Sequence, residues 1–388
     1  GTSGTQSDWL VFGGGPDTPA YTANTEHWNG SAWTEVANLA TAMANGASGG
    51  ISTSALSVMG RGPGSIPFGV DTEEFTTASP VTIAQEGQVW YNGASDVLKG
   101  FKLTFGTGAW ASGGNTPGSW YASGMSGTQT AALLYGGLPG NVTDTSLYNG
   151  SAWTSSPASL NTGRAKFVSA GIGTQTAAQF SGGETTVYLK STEQFNGTSW
   201  TEVSDFNTGR AEYVAGGTQT AAVASLGIPG SMTTTETWDG TSWTEVTAAP
   251  VGTYAALGGG IQTSFIIAGG VQPPATSYNT SDYWDGTAWT ETANINTARQ
   301  YGSRGAANGT DAVIFGGGAP PPWTAKTETY NGTAWTEVAD MGSPVKQNAG
   351  NGTSSLALSA GKEGPSGSNV TEEWTVPSAN EVKTFTAS

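Results

Sequence analysis

The sequence contains no cysteine and only one histidine, His27, among its 388 residues. Without thiols the chain can form neither disulfides nor thiolate metal sites. A single imidazole leaves almost no material for a Ser-His-Asp triad, a histidine general base or a histidine metal site. Calcium-binding loops of the DxDxDG type are also absent. We therefore expect no catalytic residue, no metal and no cofactor, although two acidic residues on distant loops could still form a glycosidase site.

Basic residues and long apolar runs are scarce as well. Lysine and arginine number 13 against 29 aspartates and glutamates, which gives a net charge of −16. This charge repels a phosphate backbone, so we expect no nucleic-acid partner. Because no run approaches 18 apolar residues, we also expect no membrane insertion.

Glycine and aromatic residues are abundant, and six tryptophans end the same short phrase. The phrase is an aromatic residue, Asn or Asp, Gly, Ser or Thr, Ala or Ser, and then Trp. From the second copy onward the tryptophans lie 47, 43, 46 and 46 residues apart. Self-similarity at such a period indicates a repeat architecture. The six residues are Trp33, Trp153, Trp200, Trp243, Trp289 and Trp335.

Each phrase is preceded by a short apolar run that ends in glycine, such as Leu133–Gly137, and eight such runs occur along the chain. An apolar run bounded by glycines is typical of a strand buried on both faces. A Gly-Thr-Gln-Thr turn lies before several of the runs, with another short strand before the turn. Each repeat therefore predicts four antiparallel strands, A to D. We assign Trp110 to the D strand of the second repeat.

The repeat length and the order Gly-Gly, aromatic, Trp resemble kelch repeats. The resemblance implies an all-β fold, a closed β-propeller of four-stranded antiparallel kelch-like blades. The eight apolar runs predict eight blades in one domain spanning 1–388, with seven blades as the alternative. Residues 80–105 depart from the repeat and predict an extra hairpin around Asn92-Gly93 in the second blade.

The Asn-Gly or Asp-Gly of each phrase predicts a two-residue hairpin turn. At Asn196-Gly197 this turn places Phe195 opposite Thr198 and Glu193 opposite Trp200, so that acid and tryptophan share one face of the sheet. A buried acid needs a hydrogen-bond donor, and arginines at the starts of A strands are the candidates. This structural set comprises the acids Glu26, Glu193, Glu236, Asp282 and Glu328, the tryptophans Trp33, Trp200, Trp243, Trp289 and Trp335, and the arginines Arg164, Arg210 and Arg299.

Two groups of phrases resemble proteins of bacteriophage particles. Gly87–Asn92, which reads Gly-Gln-Val-Trp-Tyr-Asn, resembles motifs of phage fibre and other virion proteins. The Gly-Thr-Gln-Thr-Ala-Ala and Asn-Gly-Thr-Ser-Trp-Thr-Glu-Val phrases resemble kelch-like proteins of marine phages. The resemblance implies a virion location, with other virion proteins or copies of this chain as partners.

The loops between B and C strands vary in length and carry aromatic residues, which suit stacking on sugar rings or contact with a protein. We expect a non-enzymatic attachment protein of the virion, such as a fibre, tail or decoration protein, that presents these loops to a host surface, a cell-surface glycan or a protein. A secreted lectin or adhesin, or a scaffold without a ligand, is the alternative. The candidate ligand-face aromatics are Tyr21, Phe68, Tyr188, Tyr278 and Trp323.

Overall fold

The computed structural model describes residues 2–5, 8–15, 21–43, 47–51, 54–58, 72–76, 89–92, 97–166, 171–274, 276–319, 322–363 and 367–385. The described residues form strands and connecting loops and include no helix. The chain divides into two compact units, the first comprising Gly1–Lys102 and Glu381–Ser388 and the second Leu103–Asn380. The sequence predicted a single domain over 1–388.

In the first unit the described residues form two sheets built from repeat-like strands. A four-stranded sheet has the order β1 (Thr2–Thr5), β2 (Asp8–Gly14), β3 (Thr22–Trp28) and β4 (Trp33–Glu35). A three-stranded sheet has the order β5 (Ala47–Ile51), β6 (Ser54–Val58) and β7 (Thr72–Thr76). Leu10, Phe12 and Ala55 form a small buried core, and the partly buried side chains of Val36 and Leu39 pack against it.

A hairpin follows these two sheets in the sequence. Its strands β8 (Val89–Asn92) and β9 (Val97–Phe105) pair antiparallel, with Asn92 opposite Val97. This hairpin falls within the segment for which an extra hairpin was predicted, although residues 80–88 of that segment lie outside the described residues.

In the second unit the described residues form six four-stranded sheets, which we number 1 to 6 and whose strands run A to D from the centre outward. Sheets 1 to 3 are formed by β11 (Gly124–Thr128), β12 (Ala131–Tyr135), β13 (Thr145–Tyr148) and β14 (Trp153–Ser155); β15 (Ile172–Gly173), β16 (Ala178–Ser181), β17 (Thr192–Phe195) and β18 (Trp200–Val203); and β19 (Val214–Thr218), β20 (Ala221–Ser225), β21 (Thr235–Trp238) and β22 (Trp243–Val246).

Sheets 4 and 5 follow the same order. Sheet 4 is formed by β23 (Leu257–Ile261), β24 (Ser264–Ala268), β27 (Ser281–Trp284) and β28 (Trp289–Glu291), with the short hairpin β25 (Val271–Gln272) and β26 (Thr276–Ser277) in its B–C loop. Sheet 5 is formed by β29 (Ser303–Asn308), β30 (Asp311–Phe315), β31 (Thr327–Tyr330) and β32 (Trp335–Val338).

Sheet 6 combines the two ends of the unit. Its A to C strands are β33 (Ala349–Gly352), β34 (Leu356–Ala360) and β35 (Thr371–Thr375), and its D strand is β10 (Ala109–Ser112). Trp110 therefore lies opposite Trp374, which corrects its assignment to the second repeat. Beyond sheet 6 the last strand, β36 (Ser378–Phe385), belongs to a three-stranded sheet of order β36-β9-β8.

A continuous circle of backbone hydrogen bonds closes the second unit into a ring. The loop that leads into each A strand contains a residue with a positive φ, between 51° and 67°. Its N–H donates to the carbonyl of the equivalent residue of the preceding sheet at 2.7–3.1 Å, and the first residue donates to the last. These six residues, which we call the mouth ring, are Ala122, Lys166, Glu212, Ala255, Tyr301 and Gln347.

The ring therefore holds six sheets, whereas the sequence predicted eight blades, or seven, in one ring. All eight predicted apolar runs do contain strands, but two of them (β2 and β6) belong to the first unit. Glycines permit the close approach of strands at the centre of the ring. A Cβ added to Gly171 would lie 1.6 Å from the carbonyl oxygen of Met125, and one added to Gly216 would lie 2.3 Å from that of Gly260.

Tryptophans join several of the sheets to the one before. Three of the repeated tryptophans, together with Trp110 in the D strand of sheet 6, donate the indole N–H to the threonine that begins the C strand of the preceding sheet, and the ring closure uses the same contact. The bonds are Trp153 to Thr371 at 3.0 Å, Trp200 to Thr145 at 3.0 Å, Trp243 to Thr192 at 3.3 Å and Trp110 to Thr327 at 2.9 Å.

The C–D hairpins differ from prediction by two residues. Phe195 lies opposite Trp200, and Glu193 lies opposite Glu202. The reason is the side chain of Asn196, whose oxygen accepts N–H bonds from Thr198 at 3.0 Å and Ser199 at 2.9 Å. Such an Asx turn lengthens the loop beyond two residues. Because a shift of two residues preserves the side-chain alternation, Glu193 and Trp200 still share a face.

Candidate functional site

Three buried ion pairs lie at the start of sheets 2, 3 and 5. In sheet 3 the Arg210 and Glu236 side chains are both fully buried and hydrogen-bonded to each other. The second carboxylate oxygen of Glu236 accepts both the backbone N–H and the side-chain amide of Asn207, at 2.9 and 2.7 Å. The equivalent groups in sheets 2 and 5 are Arg164 with Glu193 and Asn161, and Arg299 with Glu328 and Asn296.

These pairs bring together the acids and arginines that the sequence placed in one set. Burial lowers the pKa of the Arg210 and Arg299 guanidinium groups, while their carboxylate partners oppose that shift. With both oxygens of each carboxylate hydrogen-bonded, the groups hold the loop before the A strand against the sheet in sheets 2, 3 and 5. Reasoning from the sequence missed the Asn of each Asn-Thr-Gly/Ala-Arg phrase, although its recurrence was visible.

Two acids of the predicted set lack the arginine. Glu26 in the first unit is exposed and lies opposite Glu35, and Trp33 is 45% exposed. In sheet 4, Asp282 is only 6% exposed, but Thr253 stands where sheets 2, 3 and 5 have arginine. Burial raises the pKa of Asp282 to about 6, and the nearby Glu291 carboxylate adds to the rise.

Replacing Asp282 with asparagine should stabilise the protein at neutral pH. The unfolded aspartate ionises near pH 4, so the folded state loses stability as the pH rises from about 4 to about 6. We expect a gain of about 1 kcal/mol at pH 7.5, because asparagine removes the buried charge, and no gain at pH 4, where folded Asp282 already holds its proton. Thermal unfolding at the two pH values measures the difference. An equal effect of the substitution at both would contradict the assignment.

We call the face of the second unit that carries the B–C loops the loop face, and the face that carries the A–B turns the turn face. The mouth ring lies on the loop face, and three of its members carry interacting polar side chains. Glu212, 4% exposed, accepts the Tyr301 O–H at 3.0 Å. The Lys166 ammonium donates to both Glu184 oxygens at 2.9 Å. Burial raises the pKa of Glu212. Burial also raises the pKa of Tyr301, and the charge of Glu212 adds to that rise. For Lys166 burial alone would lower the pKa, but Glu184, Glu212 and Tyr188 together outweigh it and the net shift is upward.

Aromatic rings adjoin these polar groups. Trp323 packs edge-to-face on Tyr301, with ring centroids 6.4 Å apart. The Lys346 ammonium lies 4.5 Å from the centroid of the Trp323 ring and 2.7 Å from a Glu363 oxygen. We call Lys166, Glu184, Glu212, Tyr301, Trp323 and Lys346 the mouth cluster. The cluster offers positively charged hydrogen-bond donors and negatively charged acceptors next to aromatic rings. This combination suits polar, ring-shaped ligands.

The structure brings part of the predicted aromatic set to this face. Trp323 belongs to the mouth cluster, and Tyr188, 39% exposed, lies in the same B–C loop as Glu184. Tyr278 is half-buried in the B–C loop of sheet 4, where its O–H donates to Gln272 at 2.7 Å. Tyr21 is half-buried in the first unit, and Phe68 lies outside the described residues.

Reasoning from the sequence missed Lys166, Glu212 and Tyr301. Each stands two residues after the arginine of its repeat, so aligning the repeats on arginine would have exposed this variable column. In the parts of the chain that the structure describes, no group of three His, Cys, Asp or Glu residues could hold a metal ion. No helix there is long and apolar enough to cross a membrane.

Comparison with known proteins bears on the fold. No family model matches the chain. No curated protein matches it in sequence. Among solved structures, that of YjhT superposes with a TM-score of 0.57 at 14% sequence identity, covering 68% of this chain and 99% of that one. At this identity the likeness concerns architecture alone, and together with the sheets described above it shows an all-β propeller-type fold.

Proposed function

We propose that this protein is a non-enzymatic attachment component of a bacteriophage particle, whose loop face binds carbohydrate on a host surface. The observation that carries the binding part is the mouth cluster, where Trp323 and Tyr301 adjoin the Glu212 carboxyl and the Lys166–Glu184 pair. Sugars present apolar ring faces edged by hydroxyl groups, and such a site can match both.

The virion part of the proposal rests on the phage-like phrases of the sequence. A particle carries many copies of its surface proteins, so a weak site on each copy can give strong attachment through multivalency. The kelch-like repeats and the variable B–C loops support the same proposal, since one rigid ring can present loops that change freely.

Trp323→Ala and Tyr278→Ala should each weaken attachment to host cells, and binding on a glycan array, by about ten-fold. We expect the melting temperature to change little, because both side chains are only half-buried. Ile261→Ala is the matched control, since Ile261 is 43% exposed on the opposite, turn face. Attachment that survives both substitutions would favour a scaffold without a ligand.

Two other functions predict different results. A secreted lectin or adhesin would bind glycans equally well but would not co-purify with virus particles. A polysaccharide-acting enzyme would release shorter sugars from a bound glycan. Mass spectrometry of purified particles tests the first, and chromatography of the glycan after incubation tests the second.

A further inference from the structure

A ladder of glutamines closes the seams between neighbouring sheets on the turn face of the second unit. Each glutamine lies in an A–B turn, and its amide nitrogen donates to two carbonyls of the preceding sheet. Gln175 donates to Ala132 and Tyr148 at 3.0 and 2.6 Å, which lie opposite each other on the B and C strands. Gln129, Gln219 and Gln262 make the equivalent pair of bonds, and Gln129 does so across the ring closure.

Two of the six seams lack the glutamine. At the seam between sheets 4 and 5 the position is Gly309, and the space is filled, because a Cβ there would lie 2.7 Å from the Tyr283 ring. At the seam between sheets 5 and 6 the position is Ser354. The carbonyls that correspond to the glutamine acceptors there belong to Ala312 and Tyr330, which lie opposite each other. Among the described residues no side chain donates to them.

An open groove of about 620 Å³ occupies this seam. Its walls include Tyr330, Val338, Ser354, Trp374 and Val376, and Phe105 at one edge is 61% exposed. The short serine leaves unfilled the space that a glutamine stem takes in the other seams.

The described lining of the groove carries charge of one sign. Its charged residues there are Asp311 and Glu337, and Glu337 also accepts a bond from Lys326 at 2.8 Å. Carboxylates, backbone carbonyls and aromatic faces all favour a ligand that donates N–H bonds or carries positive charge.

We propose that this groove is a second binding site, independent of the loop-face function, which takes a partner polypeptide's side chain with an aliphatic stem and a terminal nitrogen bearing two or more hydrogens. Lysine and glutamine side chains meet this description. The stem lies along Val338, Val376 and the aromatic residues, and the nitrogen replaces the ladder amide at the carbonyls of Ala312 and Tyr330.

Titration of the full chain with N-acetyl-lysine amide, N-acetyl-glutamine amide and N-acetyl-norleucine amide, followed by NMR, tests the proposal. We expect the lysine or the glutamine probe to bind and the norleucine probe to bind at least ten-fold more weakly. Ser354→Gln should abolish binding by restoring the missing ladder residue, and should raise the melting temperature by about 2–4 °C. Ser354→Ala is the matched control and should keep the binding.

Asp311→Asn separates the two head groups, and it also tests the site if Ser354→Gln does not fold. It should weaken the lysine probe several-fold and leave the glutamine probe unchanged, and added salt should act in the same way. Either probe binding alone supports the site. Equal binding of norleucine, no binding of any probe, or binding unaffected by Ser354→Gln would overturn it.

Discussion

Replacing Arg210 with methionine should lower the free energy of unfolding by about 3–5 kcal/mol. The substitution leaves the Glu236 carboxylate fully buried, with Asn207 as its remaining donor. An isolated buried charge is costly, so the carboxyl should take up a proton and the variant should be less unstable at low pH. Urea unfolding at pH 7.5 and pH 5 measures both effects.

The double variant Arg210→Met/Glu236→Gln provides the control. It removes the stranded charge while the glutamine can still accept the Asn207 bonds, so it should recover at least half of the loss. Arg299→Met should behave like Arg210→Met, because its pair with Glu328 and Asn296 is built in the same way. A loss below about 1 kcal/mol, typical of surface pairs, would show that these ion pairs do not stabilise the loops.

Replacing Trp200 with alanine should cost about 3–5 kcal/mol, whereas the same change at Trp33 should cost less than about 1 kcal/mol. Trp200 is 6% exposed, packs on Tyr135 and Phe195, and donates to Thr145 of the neighbouring sheet. Trp33 ends the same sequence phrase but is 45% exposed, with Trp9 and Trp28 as ring neighbours.

Fluorescence-monitored urea unfolding of the two variants makes this comparison directly, because the sequence context of the two tryptophans is nearly identical. Trp243→Ala offers a second buried example, with the same bond to a preceding threonine. Similar losses at Trp33 and Trp200 would mean that the phrase itself, rather than its burial between sheets, determines the contribution of the residue.

Only part of the candidate site could be predicted from the sequence. The buried ion pairs follow from local rules, because a buried acid on a strand requires a donor and one arginine recurs at a constant place in the repeat. The mouth cluster does not follow, since Lys166, Glu212 and Tyr301 differ in type and lie far apart in the chain. The backbone circle of the mouth ring brings their side chains onto one face.

The register of the hairpins, too, could be predicted only in part from the sequence. Asn-Gly predicted a turn at the right place, because this dipeptide adopts positive φ readily. The two-residue shift arose from the Asn196 side chain, which bonds to the backbone of the loop. The face of each residue survived the error because strand alternation has a period of two.

By itself the sequence determined the strands, their alternation, the turns between them and the all-β propeller-type fold, because each depends on neighbouring residues and on a repeat of constant length. Tertiary structure alone decided how many repeats share one ring. Sheet 6 closes it by pairing β35 with β10 from the opposite end of the unit, a choice that depends on geometry around the whole circle. For that reason six repeats joined the ring while Trp33, in the same phrase as Trp200, remained exposed.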